Sequence, residues 1–153
     1  MATRNIVQVG DDVLRKKSLP VSEINGKIAE LLDDMKETLK KAEGVGLAAP
    51  QVGVLKRIFI ISLDDNYFEC INPVIIKQSG SQRGEEGCRS VKGKYGTVVR
   101  PKKVVLKATD RNGKDFKVEA EGFLARAICH EYDHLDGILY IDKAENVVDE
   151  RNQ

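Results

Sequence analysis

Both histidines of the 153-residue chain, His130 and His134, fall in one run, Cys129-His130-Glu131-Tyr132-Asp133-His134, so any chemistry that needs imidazole is confined to that place. Residues four apart share a helix face, which would let the two rings converge on one metal ion with Glu131 beside them, in reach of a water on that ion. The chemistry implied is metal-assisted hydrolysis. A His-Glu-x-x-His string also arises by chance on amphipathic helices, and the flanking residues argue against chance. Gly122-Phe123-Leu124-Ala125-Arg126-Ala127-Ile128 leads in with apolar residues at helical spacing, and Gly137 stands where a C-terminal stop is expected. On a core-facing helix, two histidines and a glutamate would be costly unless they were ligated or paired.

A catalytic divalent site takes three protein ligands and keeps one position open, so one ligand remains to be found. Glu86-Gly87-Cys88-Arg89-Ser90 is the best source: Gly87 gives backbone freedom beside Cys88, and a thiolate is stabilised by the cation it binds. A packed or exposed thiol is the alternative for Cys88. Downstream, Glu145 and Asp149 are the carboxylates that would serve instead in a zinc metallopeptidase, and a non-enzymatic, metal-stabilised binding module is a further reading. The other two cysteines read differently. Cys70 lies in a strand-like stretch as a buried structural thiol, and Cys129, one helical step before His130, points away from the direction the histidines share.

Three further features bear on a site. Gly44-Val45-Gly46-Leu47-Ala48-Ala49-Pro50-Gln51-Val52-Gly53 is too rich in small residues for ordinary core and too apolar for a solvent loop. Gly44 and Gly46 would let a substrate backbone lie close. Phe123 and Ala127, ahead of the histidines, either line an apolar pocket or pack in the core. Glu86 and Arg100 either pair beneath the Cys88 loop, holding it in place, or take separate surface roles.

The elements that must position these residues follow from the pattern. Asn25 is set to cap a helix through about Ala42, with Ile28, Leu31, Leu32, Met35 and Leu39 at three- and four-residue intervals and Gly44 as its stop. Arg57 to Ser62 and Phe68 to Lys77 are predicted strands, the second weakened by Pro73. Gln78 to Gly87 reads as a polar, glycine-rich loop. Thr97 to Asp110 and Lys114 to Ala120 alternate apolar and polar residues around Arg111-Asn112-Gly113, a strong hairpin signal, and the histidine helix closes the order. Runs of strands with helices at opposite ends predict an α+β fold, mostly antiparallel sheets wrapped around the C-terminal metal-binding helix.

Composition sets the class. A chain of this length with 41% hydrophobic residues is expected to form a single domain over residues 1–153. A net charge of +1, from 25 basic and 24 acidic residues, argues against direct nucleic-acid binding. Lys16-Lys17, Lys40-Lys41 and Lys102-Lys103 read as solvated faces. No signal-peptide run or membrane-length apolar segment is present, and an odd cysteine count without a CxxC pair suits a reducing compartment. The expected location is cytoplasmic, with no membrane association.

Three segments in order, Gly44-Val45-Gly46-Leu47-Ala48-Ala49-Pro50-Gln51, Glu86-Gly87-Cys88-Arg89-Ser90 and His130-Glu131-Tyr132-Asp133-His134, resemble the signature motifs of the peptide deformylases, and the likeness runs from about Ile6 to Asp142. The resemblance implies that Cys88, His130 and His134 bind the metal, that Glu131 is the general base and acid, and that Gln51 with the backbone N–H of Arg89 forms the oxyanion site. Gly44, Val45, Gly46, Gly87, Phe123 and Ala127 are the residues expected to bind substrate. The implied activity is removal of the formyl group from the initiator methionine of new polypeptides, releasing formate, with a metal-bound water as nucleophile. One divalent ion per chain is implied, Fe2+ in the cell and Zn2+, Ni2+ or Co2+ in a purified sample. Nascent N-formylmethionyl polypeptides are the expected partners. After Asp142 the sequence does not resemble the long basic C-terminal helix of some members, so transient proximity to the ribosome is expected rather than docking through that helix. Arg89 replaces a usually apolar residue, Cys129 stands where glutamine is common, and Lys92 replaces a frequent proline.

Overall fold

In a computed structural model, residues 2–150 are described, and they alternate short helices with antiparallel strands. Helix α1 spans Gly26–Ala42, its first turn capped by Asn25, whose side chain accepts from the N–H groups of Lys27 and Ile28 at 3.1 and 3.2 Å. The helix ends one residue before the predicted glycine: Glu43 itself takes the left-handed conformation, φ 55°. Strand β1, Gly46–Ala48, follows, then a 3-10 turn over Ala49–Val52 and strands β2, Ile58–Leu63, and β3, Asn66–Ser79. β4 covers Gln82–Cys88, β5 Val91–Arg100, β6 Lys103–Thr109 and β7 Asp115–Glu121. Helix α2, Phe123–His134, carries both histidines; α3, Tyr140–Lys143, and β8, Val147–Asp149, follow it, so the histidine helix does not end the element order.

Two sheets result, one of five strands in the order β1-β2-β3-β6-β7 and one of three, β4-β5-β8, with every ladder between these strands antiparallel. The predicted α+β class is therefore the fold observed. Strand β2 shows how the large sheet is covered on both faces. Ile58 and Ile60 pack with the buried stripe of α1, whereas Phe59 and Ile61 belong to the cluster that includes Ala125 and Ile128 of α2. Alternate side chains leave opposite faces of a strand, so a strand buried on both sides must read as an uninterrupted apolar run.

Pro73 lies inside β3, at a register shift between Ile71 and Val74. Asn72, at φ 49°, turns the backbone there, and its side-chain amide exchanges hydrogen bonds of 2.8 and 2.9 Å with the backbone of Val21. A bulge absorbs the missing N–H of proline. The hairpin between β6 and β7 is built as predicted, with Gly113 at φ 80° and Asp110 accepting from the N–H groups of Asn112 and Lys114. The segment predicted as a loop from Gln78 to Gly87 is instead largely strand. Gln78 and Ser79 end β3 and pair with β6, Gln82 to Glu86 pair with β5, and only Gly80 and Ser81 turn the chain. Cross-strand hydrogen bonding overrode weak local propensity, which is common for strands with one wet face.

Candidate active site

Helix α2 runs between the two sheets with Ala125, Ile128, Glu131 and His134 buried, so its polar residues enter the interior as the apolar lead-in required. Cys88 approaches from the small sheet. It ends β4, opposite Val91 of β5, and the two-residue turn Arg89-Ser90 closes the hairpin. That turn is held from outside by the N-terminal segment: Val9 donates its N–H to the Ser90 carbonyl at 2.7 Å, and Gln8 Nε2 donates to the Arg89 carbonyl at 2.8 Å. Cys88 Sγ thereby comes to 3.4 Å from His134 Nε2, and one ligand atom each from Cys88, His130 and His134 lies within 4.8 Å of the others.

These residues fit a divalent cation. Burial alone would lower the His130 imidazole, yet the Cys88 hydrogen bond and the nearby Glu131 and Glu86 carboxylates raise it well above its ordinary value. A pocket that draws positive charge in this way suits a metal ion. His134, in contrast, is held well below its ordinary value by burial, which leaves a neutral ring able to ligate. Its Nδ1 is buried without a partner among the described residues, and the ring packs edge-on against His130 with centroids 5.1 Å apart. Glu145 pairs with Arg83 and Asp149 with Lys94, so neither carboxylate joins this group.

Behind the ligands lies a buried charge network. Glu86 Oε1 meets His130 Nδ1 at 2.9 Å, which fixes the ring and directs Nε2 toward Cys88 and His134. Arg100 grips Glu86 through Nε and Nη2 at 2.9 and 2.8 Å, Arg126 Nη1 reaches Glu86 Oε2 at 2.6 Å, and Arg100 Nη1 reaches Asp133 at 2.6 Å. Burial would raise the Glu86 carboxyl, but the Arg100 and His130 hydrogen bonds hold it well below the usual carboxylate range. The Glu86–Arg100 pairing is thus present, and it is wider than the sequence suggested. Arg126 and Asp133 were not anticipated. Arg126 lies four residues before His130, a spacing that could have placed it on the same helix face.

Glu131 is 4% exposed, and burial raises its carboxyl to about 7. Its Oε1 has no partner among the described residues. Gly46 of β1 packs against this side chain so tightly that a Cβ there would lie 2.6 Å from Glu131 Oε2. Gln51, in the 3-10 turn, is locked at both ends: Oε1 accepts from the Ala48 N–H at 2.9 Å, while Nε2 donates to Ser90 Oγ at 3.1 Å and lies 3.5 Å from Cys88 Sγ. Ser90 was not singled out in the sequence, because nothing local marks it as a partner for a residue 39 positions away.

A cavity of about 550 Å³ opens over these groups. Gly44, Val45 and Gly46 border it on one side, Gly87, Cys88 and Arg89 on the other, and Phe123, Ala127, His130 and Glu131 from α2. Phe123 is 56% exposed, so the core-packing alternative for it is excluded. Ala127 is buried and also borders the cavity. Cys129 does not border it, and Cys70 is a fully buried thiol as expected.

The family model for polypeptide deformylase matches residues 3–150. The chain belongs to the polypeptide deformylase family. Peptide deformylase of Thermoanaerobacter pseudethanolicus is 50% identical over 153 residues, covering 100% of this chain and 96% of the relative, and that of Lachnoclostridium phytofermentans is 55% identical, covering 98% and 94%. Among solved structures, peptide deformylase from Legionella pneumophila aligns with a TM-score of 0.91 at 42% identity, covering 94% of this chain and 87% of that one. The Synechococcus elongatus enzyme, solved in complex with actinonin, aligns at 0.90 and 39%, covering 94% and 79%. The enzyme removes the N-formyl group from nascent peptides, in a metal-dependent family, and its Cys88, His130 and His134 form a possible metal site. Among the described residues, no helix is long and apolar enough to cross a membrane.

Proposed function

We propose that Cys88 Sγ, His130 Nε2 and His134 Nε2 hold one divalent cation, and that Glu131, Gln51 and the Arg89 N–H carry out deformylation beside it, the chain working as one catalytic domain. The convergence of those three donor atoms beside a buried glutamate with its carboxyl near neutrality carries this reading. A thiolate with two imidazoles suits Fe2+ or Zn2+, and Fe2+ is the ion we assign in the cell, with Zn2+, Ni2+ or Co2+ able to occupy the same donors. When bound, such an ion supplies Lewis acidity, polarising the formyl carbonyl and making water acidic enough to yield a nucleophile near neutral pH.

The protein groups do the rest. Glu131 Oε1, without a partner among the described residues, accepts the proton released by the attacking water and returns it to the departing amine. A carboxyl near 7 is suited to both halves of that transfer. Gln51 Nε2, fixed by Ala48 and Ser90, and the Arg89 N–H, which no other described residue engages, are the donors for the oxyanion. β1 and β4 are both terminal strands of their sheets, and both border the cavity, so an extended peptide can hydrogen-bond to their open edges at Gly46 and Gly87, with Gly44 just ahead of β1 leaving room for its backbone. Val45, Phe123 and Ala127 offer apolar surface for the methionine side chain. The substrates are N-formylmethionyl chains in the cytoplasm, met transiently near the ribosome.

The test is formate release from formyl-Met-Ala by anaerobically purified protein, set against Glu131→Ala and Cys88→Ala. Loss of turnover with metal retained is expected for Glu131→Ala, and loss of metal for Cys88→Ala. Turnover that survives either substitution would overturn the assigned roles.

A further inference from the structure

Of the exposed cations that border the cavity, Lys94 pairs with Asp149, whereas Lys92 and Arg89 make no ion pair among the described residues. The Arg89 backbone is also fixed, because Gln8 and Val9 hold the Arg89 and Ser90 carbonyls and Ser90 is buried against Gln51. A cation on a rigid turn, one residue from Cys88, keeps its charge at a defined place on the rim.

Other charges on that rim sharpen the assignment. Glu85 borders the cavity from β4, four residues before Arg89 and beyond the irregularity between Glu86 and Cys88. Glu150 also borders the cavity, its N–H donated to the Gly93 carbonyl, and Lys92 borders it without an ion pair among the described residues. Arg89 and Lys92 thus both bring positive charge to the rim, and Arg89 is the one adjacent to Cys88.

We propose that the Arg89 guanidinium selects substrates with an acidic side chain in one of the two residues that follow methionine. The inference rests on the deformylase reading and adds which formylated chains the site favours. With the formyl group beside Cys88 and Glu131, an extended arginine starting one residue away spans about two residues of an extended peptide. The carboxylate of Asp or Glu suits the planar guanidinium, and the pair is exposed, so it aids capture of the substrate rather than the chemical step.

Steady-state kinetics on formyl-Met-Ala-Ala, formyl-Met-Glu-Ala, formyl-Met-Ala-Glu and the two lysine counterparts test this. The better glutamate peptide should exceed its lysine counterpart in kcat/KM by about tenfold, attraction and repulsion each giving about threefold for an exposed pair. The difference should lie in KM and should shrink toward unity between about 0.01 M and about 1 M salt, as the screening length falls from about 30 to about 3 Å. In Arg89→Leu the ratio should drop below about twofold, and Arg89→Glu should invert it. A ratio near unity in the wild-type enzyme, or a ratio that survives Arg89→Leu, overturns the proposal. Absence of formate from every peptide overturns the deformylase reading and this selection with it.

Discussion

Gly46→Ala is the sharpest probe of how the scaffold serves the chemistry. A Cβ at Gly46 would lie 2.6 Å from Glu131 Oε2, 2.8 Å from its Cγ and 2.9 Å from its Cδ, so the whole end of the side chain is blocked rather than its tip. Restoring ordinary contact at 3.4 Å needs a shift of about 0.8 Å, and Glu131 is buried with little room to move. Gly46 lies in β1 without a positive φ, so alanine imposes no backbone strain there. The cost should fall on function. Misplacing a catalytic group by about 1 Å can cost about 10²-fold, and that is the expected loss in kcat/KM for formyl-Met-Ala. Overpacking should cost about 1–3 kcal/mol of stability. Metal content should be unchanged, because the three atoms nearest the added methyl all belong to Glu131 and none to a ligand residue. The assay is formate release together with metal analysis and thermal unfolding. Activity within about threefold of wild type would refute the idea that Gly46 and Glu131 share this packing, as would loss of metal in step with activity.

Arg100→Met should leave Glu86 to Arg126 and His130, and Asp133 to Lys143, a partial loss of compensation costing about 1–3 kcal/mol and lowering Tm by about 2–12 °C, with weaker metal retention. Unchanged Tm and metal content would show that the network does not hold the ligands. Burial pushes the Cys70 thiol up to about 12, whereas an unfolded thiol ionises near about 8.5. The folded state therefore keeps a proton that the unfolded state gives up. The stability tied to the neutral thiol is full below about pH 8.5 and is lost as pH rises toward the folded value, by at most about 1.4 kcal/mol per unit. Cys70→Ala should flatten that alkaline slope in denaturant titrations, and parallel slopes for the two proteins would refute the assignment. Iron-loaded enzyme should lose activity on prolonged aeration, since thiolate and ferrous ion both oxidise, while zinc-loaded enzyme should not. Equal survival of the two in formate-release assays would count against iron held by Cys88.

Much of the site was legible in the residues themselves. His130 and His134 are four apart on one helix, and helical periodicity alone puts them on one face with Glu131 adjacent. The stripe of α1, its Asn25 cap and the Asn112-Gly113 hairpin are likewise local, set by backbone geometry within a few residues. The three motifs, taken in order, pointed to the family that the whole-chain match established. What remained open was every relation across long sequence separation. Whether Cys88 reaches the histidines depends on a hairpin end 46 residues from His134, pinned in turn by Gln8 and Val9. The strand from Gln82 to Cys88 gains its order from pairing with β5, not from its own polar, glycine-rich composition. Likewise the raised Glu131 carboxyl, the Ser90 partner of Gln51 and the Arg126 grip on Glu86 exist only after burial and charge pairing bring distant segments together. Periodicity is a property of neighbours in the chain, so sequence determined which groups could share a face. Desolvation and coulombic contact depend on neighbours in space, and these the tertiary structure alone decided.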